Sequence, residues 1–126
     1  MNYEQARANA VNVSRSGSIL GLDSIENLMH ELGDIQERLK IIHIAGTNGK
    51  GSTGAYLERV LIEAGYRVGR YSSPAVFDPM EVWRINLQSM SHEEYADIME
   101  QVKCACDRMV EKGMEHPTIF EVETAV

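Results

Sequence analysis

Residues 43–53 read HIAGTNGKGST and follow directly on the aliphatic run that begins at Lys40. That junction constrains the fold more than any other stretch. An apolar run of 40–45 predicts a short buried strand. The residues after the glycine turn place Leu57, Val60, Leu61 and Ala64 on one face of a helix. Gly65 stands where a helix stops, and 66–71, YRVGRY, reads as a second strand. Strand, loop, helix and strand make a βαβ unit, whose two strands are expected to be parallel. The fold class is therefore α/β, with a mostly parallel sheet flanked by helices.

A strand that runs through glycines into a helix gathers backbone N–H groups around one point, and the helix start adds partial positive charge. Gly46, Gly49 and Gly51 permit a close approach that a β-carbon blocks. Lys50 adds a compact cation suited to phosphate oxygens. Ser52 or Thr53 either caps the helix or approaches a magnesium ion. The spacing departs from the common phosphate loop, in which a glycine stands six positions before the lysine; that place is Ile44 here, and Gly46 precedes Lys50 by four. The plainer alternative is a glycine turn with a solvent-facing lysine.

The chain has 126 residues, enough for one domain with a core, and a net charge of −7. An acidic balance argues against a general nucleic-acid surface but leaves room for a nucleotide, which one local nest can hold. No apolar run is long enough to span a bilayer, and the start resembles neither a signal nor a transit sequence, so no membrane partner and a cytoplasmic location are expected. Cys104 and Cys106 stand two apart in a helical pattern, point to roughly opposite sides and read as inert thiols.

Elsewhere, 3–15 reads as a helix with Ala6, Ala10 and Val13 on one side. Asp23 with Glu26, and Ser91 with Glu94, have capping-box spacing. The second pair opens a helix to about Lys112 with Tyr95, Ile98, Met99, Val102, Met109 and Val110 inside, and with Glu93, Glu94, Asp97 and Glu100 on a solvated face. Gly33 and Gly113 are expected helix stops, 82–87 a short strand, and Pro117-Thr118 with Glu121 the start of a last helix. His43 reads first as a hydrogen-bonded core histidine, and second as a residue near a site. His30, His92 and His116 read as surface groups.

The loop Gly46-Thr47-Asn48-Gly49-Lys50-Gly51-Ser52 resembles the nucleotide loop of folylpolyglutamate and dihydrofolate synthases, in the Mur ligase superfamily. The resemblance continues through Gly21-Leu22 and Ile25, Ala64-Gly65-Tyr66, Val68-Gly69, Tyr71-Ser72-Ser73-Pro74, Glu81, Arg84-Ile85-Asn86, Thr118-Ile119-Phe120-Glu121 and Thr124-Ala125. It implies a Mur ligase-type ATPase domain, of which 1–126 is the N-terminal part, with the glutamate-binding domain outside this chain. It implies ATP-dependent ligation of L-glutamate to a folate or dihydropteroate carboxylate through an acyl phosphate, with Mg2+ assisting. Thr47, Asn48, Gly49, Lys50, Gly51 and Ser52 would hold ATP phosphates, with Lys50 the catalytic cation and Ser73 a metal ligand. Ile19, Leu20, Gly21, Thr118, Ile119, Phe120 and Glu121 would line the pterin or folate site, Phe120 offering a flat apolar surface; plain core packing is its alternative. Ala75 stands where the family often has histidine, Glu81-Val82-Trp83 where it has Glu-Arg-Ile, and Leu87 where a glycine is common. With the family's later metal ligands outside it, the chain alone is expected to be inactive. Two other readings are another Mur-type amide ligase and a non-catalytic nucleotide-binding module.

Overall fold

The computed structural model describes residues 1–13 and 21–126. Ile19 and Leu20, and the side chain of Val13, lie outside the described residues. The chain divides into two compact units, one of residues 1–39 with 92–126 and one of residues 40–91.

The first unit is helical: α1 (Tyr3–Val13), α2 (Asp23–Glu31), α4 (His92–Glu111) and α5 (Ile119–Ala125), with a 3-10 turn at Ile35–Arg38. The long α4 is its spine, and α1 and α2 both pack on it. Tyr95, Met99, Val102 and Met109 are fully buried on its inner face as their spacing requires, with Ala105 and Cys106 beside them. Ile98 is half-buried, and Val110 is exposed at the border of the stripe. Leu28 of α2, Ala6 and Ala10 of α1, and Val122 of α5 complete the core. Burying a Leu or Met side chain contributes about 1.5–3 kcal/mol, so this unit has a sound hydrophobic basis. Glu93, Glu94, Asp97 and Glu100 face solvent, as expected.

Helix ends follow the sequence closely at one side and less so at the other. Gly33, Gly65 and Gly113 all take positive φ just beyond a helix. At Gly33 the following amide, that of Asp34, donates to the Met29 carbonyl at 2.9 Å, closing α2. Thr118 caps α5 in a full capping box with Glu121. The Asp23–Glu26 box does not form: α2 begins at Asp23 itself, Leu22 holds the cap position, and no side chain bonds there. Asp23 instead lies in the first turn, where its charge suits the helix's positive end.

The second unit contains α3 (Lys50–Glu63), β1 (Gly69–Tyr71), β2 (Trp83–Ile85) and β3 (Gln88–Ser89), with a 3-10 turn at Pro79–Val82. The strands form one small sheet in the order β1-β2-β3, antiparallel throughout. This corrects the expected βαβ unit and parallel sheet. Residues 40–45 form no strand: no described residue supplies a ladder for them, and Ile41 and Ile42 are exposed. A strand exists only through its partner's hydrogen bonds, so an aliphatic run does not suffice. His43 is exposed as well, which overturns the core-histidine reading.

The helix α3 is a further correction. Leu57 and Leu61 are only half-buried, Ala64 is exposed and Val60 is 63% exposed. Its one buried residue is Glu58.

Candidate functional site

The glycine turn still opens into a helix, although no strand precedes it among the described residues of 40–45. Gly49 sits at φ 77 and holds the cap position of α3. An L-residue reaches that conformation only with strain, so glycine is required there. The first helical bond runs from the Thr53 amide to the Gly49 carbonyl at 2.9 Å. The amides of Lys50, Gly51 and Ser52 therefore precede the ladder and have no intrahelical acceptor. No side chain caps this start, and no acidic residue lies in the first turn. The expectation that Ser52 or Thr53 caps the helix is not met.

Space is available above these amides. A β-carbon built at Gly49 or Gly51 meets nothing within 4 Å, and Thr47, Asn48, Lys50 and Ser52 are all exposed. The Lys50 ammonium arches back and donates to the Gly46 carbonyl at 2.6 Å. An exposed hydrogen bond of this kind is readily exchanged for an anionic oxygen, which is the stronger acceptor. Uncapped amides, the positive end of a helix of 14 residues, and a lysine folded over the same turn suit a polyanion.

Ser73 lies in the same unit, just past the sheet. The Ser72 amide still donates to the Val82 carbonyl at 3.0 Å; Ser73 is exposed and joins Pro74 through a cis peptide bond. The loop beyond is closed by Glu81, whose carboxylate accepts from the Val76 amide and, at 3.1 Å, the Phe77 amide. These two amides, Val76 first, hold the Glu81 carboxyl below the usual carboxylate range. Glu81 thus organises the loop that follows Ser73. Among the described residues, no three His, Cys, Asp or Glu side chains gather into a metal-holding group.

In the helical unit, Gly21 and Glu121, from the two segments expected to contact a pterin, line one cleft of about 320 Å³. Asp23, Ser24, Asn27, Met109, Met114 and Glu115 also line it, and sequence reasoning missed them all. Ser24 and Asn27 are one helical turn apart, a spacing that could have revealed a shared polar face. Glu121 is largely occupied: one carboxylate oxygen accepts from the Thr118 amide at 2.7 Å, the Thr118 hydroxyl at 2.9 Å and the Ser24 hydroxyl at 3.2 Å. Its evident work is to hold α2 to α5. Thr118 is the cap, Ile119 is half-buried, and Phe120 is 62% exposed, which sets aside its core-packing alternative.

No family model matches the chain. It is 35% identical over 123 residues to the dihydrofolate synthase/folylpolyglutamate synthase of Bacillus subtilis, an alignment covering 98% of this chain and 29% of that protein. The solved structure of a folylpolyglutamate synthase–AMPPCP–folate complex superposes with a TM-score of 0.88 at 30% identity, covering 99% of this chain and 31% of that one. A bifunctional folylpolyglutamate synthase/dihydrofolate synthase with Mn, AMPPNP and L-glutamate bound gives 0.81 at 33% identity, over 95% of this chain and 28% of the other. By sequence and by backbone, the chain is related along essentially its whole length to the folylpolyglutamate/dihydrofolate synthases, and it spans about three-tenths of the members it matches.

Proposed function

We propose that residues 46–52 hold the phosphates of ATP and that the chain serves the ATP-dependent ligation of L-glutamate to a folate or dihydropteroate carboxylate. The observation that carries this reading is the uncapped, acid-free start of α3 behind an open glycine turn. Relatives that bind AMPPCP with folate, or AMPPNP with Mn and glutamate, support it. In this reading the chain is the N-terminal part of a cytoplasmic ligase's ATP-binding domain, with the glutamate-binding domain outside it.

The amides of Lys50, Gly51 and Ser52 neutralise phosphate oxygens without needing to reorganise, while Thr47 and Asn48 shape the turn around them. Lys50 moves its ammonium from the Gly46 carbonyl to the phosphates and offsets the charge that builds up during transfer. Ser73 offers a hydroxyl oxygen to Mg2+, whose role when bound is to draw electron density from the transferring phosphoryl group. Phosphorylating the acid substrate gives its carboxyl carbon a good leaving group, and attack by the glutamate amine completes the amide.

The helical cleft suits the pterin end of the substrate. Asp23, Asn27 and Glu115 offer acceptors to a ring rich in N–H donors, and Met114 offers apolar surface. The same carboxylates repel a glutamyl tail. Its volume lies at the lower end of small-molecule sites. With Ser73 as the sole proposed metal ligand, the chain by itself is expected to show little or no turnover.

The direct test is an ATP titration of wild type against Lys50→Ala. Affinity should fall roughly tenfold, the scale of one charge-assisted hydrogen bond. Tm should barely move, because Lys50 is exposed and bonds only its own turn. An unchanged affinity would remove the lysine, and with it the phosphate reading.

A further inference from the structure

We propose that Glu58 and Arg70 are positioning residues that set the phosphate-binding start of α3 against the loop carrying Ser73, so that one Mg2+–nucleotide complex meets both. The inference rests on the nucleotide reading above and deepens it. Glu58 is 2% exposed, the least accessible charged residue of its unit. Its Oε2 lies 3.0 Å from Arg70 Nη1, and the Arg70 side chain is 20% exposed. Among the described residues this is the one ion pair that joins α3 to β1.

The surroundings show that the pair fixes a particular placement of the helix. Gly54 lies one turn before Glu58 on the same face of α3. A β-carbon there would stand 3.7 Å from Ile44 Cδ1 and 3.8 Å from Arg70 Cδ. The Gly54–Glu58 stripe is therefore the face laid against residue 44 and β1, while Val60 is turned to solvent. Across the ladder Arg70 stands opposite Arg84, and like charges in that relation repel. Glu58 is the anion paired with this doubly cationic position. Glu58 Oε1 and Oε2 and Arg70 Nε and Nη1 are all buried without a hydrogen bond, so the 3.0 Å approach is a contact of charges that is not optimised for stability. A buried ion pair of this kind generally gains nothing over well-packed apolar residues, although it defines rotation and slide along its contact. Both consequences bear on the site. Glu58 is two turns along the helix that begins at Lys50, and Arg70 is three residues before Ser73.

The test compares ATP binding, with EDTA and with Mg2+, in wild type, in Glu58→Met/Arg70→Met and in the swapped Glu58→Arg/Arg70→Glu. The apolar pair should fold with a Tm at or above wild type and bind metal-free ATP within about twofold. Its Mg2+-dependent gain in affinity should fall roughly tenfold, the usual coupling between contacting groups. The swap should recover part of that gain. A purely structural pair would shift Tm and leave the Mg2+ gain intact; that result, failure of the apolar variant to fold, or a wild type whose ATP affinity ignores Mg2+, overturns the inference. Absence of ATP binding in wild type under both conditions is a separate outcome, which removes the nucleotide reading and this one together.

Discussion

Leu87 holds φ 70 and Asn86 φ 49, the pair of positive values that a two-residue hairpin turn demands between β2 and β3. Asparagine tolerates that region, and its side chain also accepts the Val68 amide at 2.9 Å. Leucine does not tolerate it, because its β-carbon crowds the following carbonyl. Leu87→Gly should therefore raise stability by about 0.5–1 kcal/mol, read from the midpoint of denaturant unfolding. A lower midpoint would mean that the half-exposed leucine side chain outweighs the strain. The cysteines give a second residue-scale prediction. Cys104 is exposed; Cys106 is buried, and burial pushes its thiol up to about 11. At pH 8 iodoacetamide should label Cys104 and spare Cys106 until the protein unfolds, because the thiolate is the reactive form. Equal labelling of both in the native state would contradict the assigned burial. The raised thiol value also has a sign: its contribution is present below the ordinary value of 9.0 and is lost as pH rises through about 11.

At the scale of elements, α2 and α4 are joined by one carboxylate. Glu31 is bonded by Lys112 and by Arg108, the latter through Nε at 3.0 Å, while Arg108 Nη2 also reaches the Glu31 carbonyl at 2.9 Å. The Lys112 bond first, and Arg108 second, hold the Glu31 carboxyl below its ordinary value of 4.5. A depressed carboxyl contributes stability above that value and loses it as pH falls through the lower folded one. Glu31→Gln should therefore make unfolding less steep with pH below about 4.5, relative to wild type, with the two curves parallel above it. Identical acid limbs would show the triad to be a surface contact of no consequence. The capping box of α5 belongs at this scale too. Thr118→Ala should cost about 1 kcal/mol, since the Glu121 amide loses its acceptor and Glu121 loses a donor. Asp23–Glu26 and Thr118–Glu121 share the same spacing in the sequence, yet of these two pairs Thr118–Glu121 closed and Asp23–Glu26 did not. The spacing makes a box possible, and the first residue with helical backbone angles decides whether it forms.

At the scale of the whole molecule, the two compact units are built differently. The helical unit buries Leu28, Tyr95, Met99, Val102, Met109 and Val122 almost completely. The unit of residues 40–91 buries chiefly Met80, Val82, Trp83 and the charged Glu58, and exposes Ile41, Ile42, Tyr56, Val60, Val76 and Phe77. Local stability follows buried apolar contact. Amides of α3 and the small sheet should therefore exchange with deuterium well before those of α4. Uniform protection across both units would show that they open as one. In both units, no helix is long and apolar enough to cross a membrane among the described residues.

What the sequence determined by itself was local: the spine α4 with its inner stripe, the glycine stops, the Thr118–Glu121 cap, and a glycine turn opening a helix behind Lys50. Each depends on residues within a turn or two of one another, so spacing and backbone preference are enough. Only the tertiary structure decided that 40–45 finds no ladder among the described residues, that the sheet is antiparallel, that α3 turns Glu58 rather than Val60 inward, and that Gly21 and Glu121 meet across one cleft. Those outcomes depend on which distant segment supplies a hydrogen-bond ladder, a counter-charge or a covering face. An aliphatic run carries the same pattern whether or not such a partner is there.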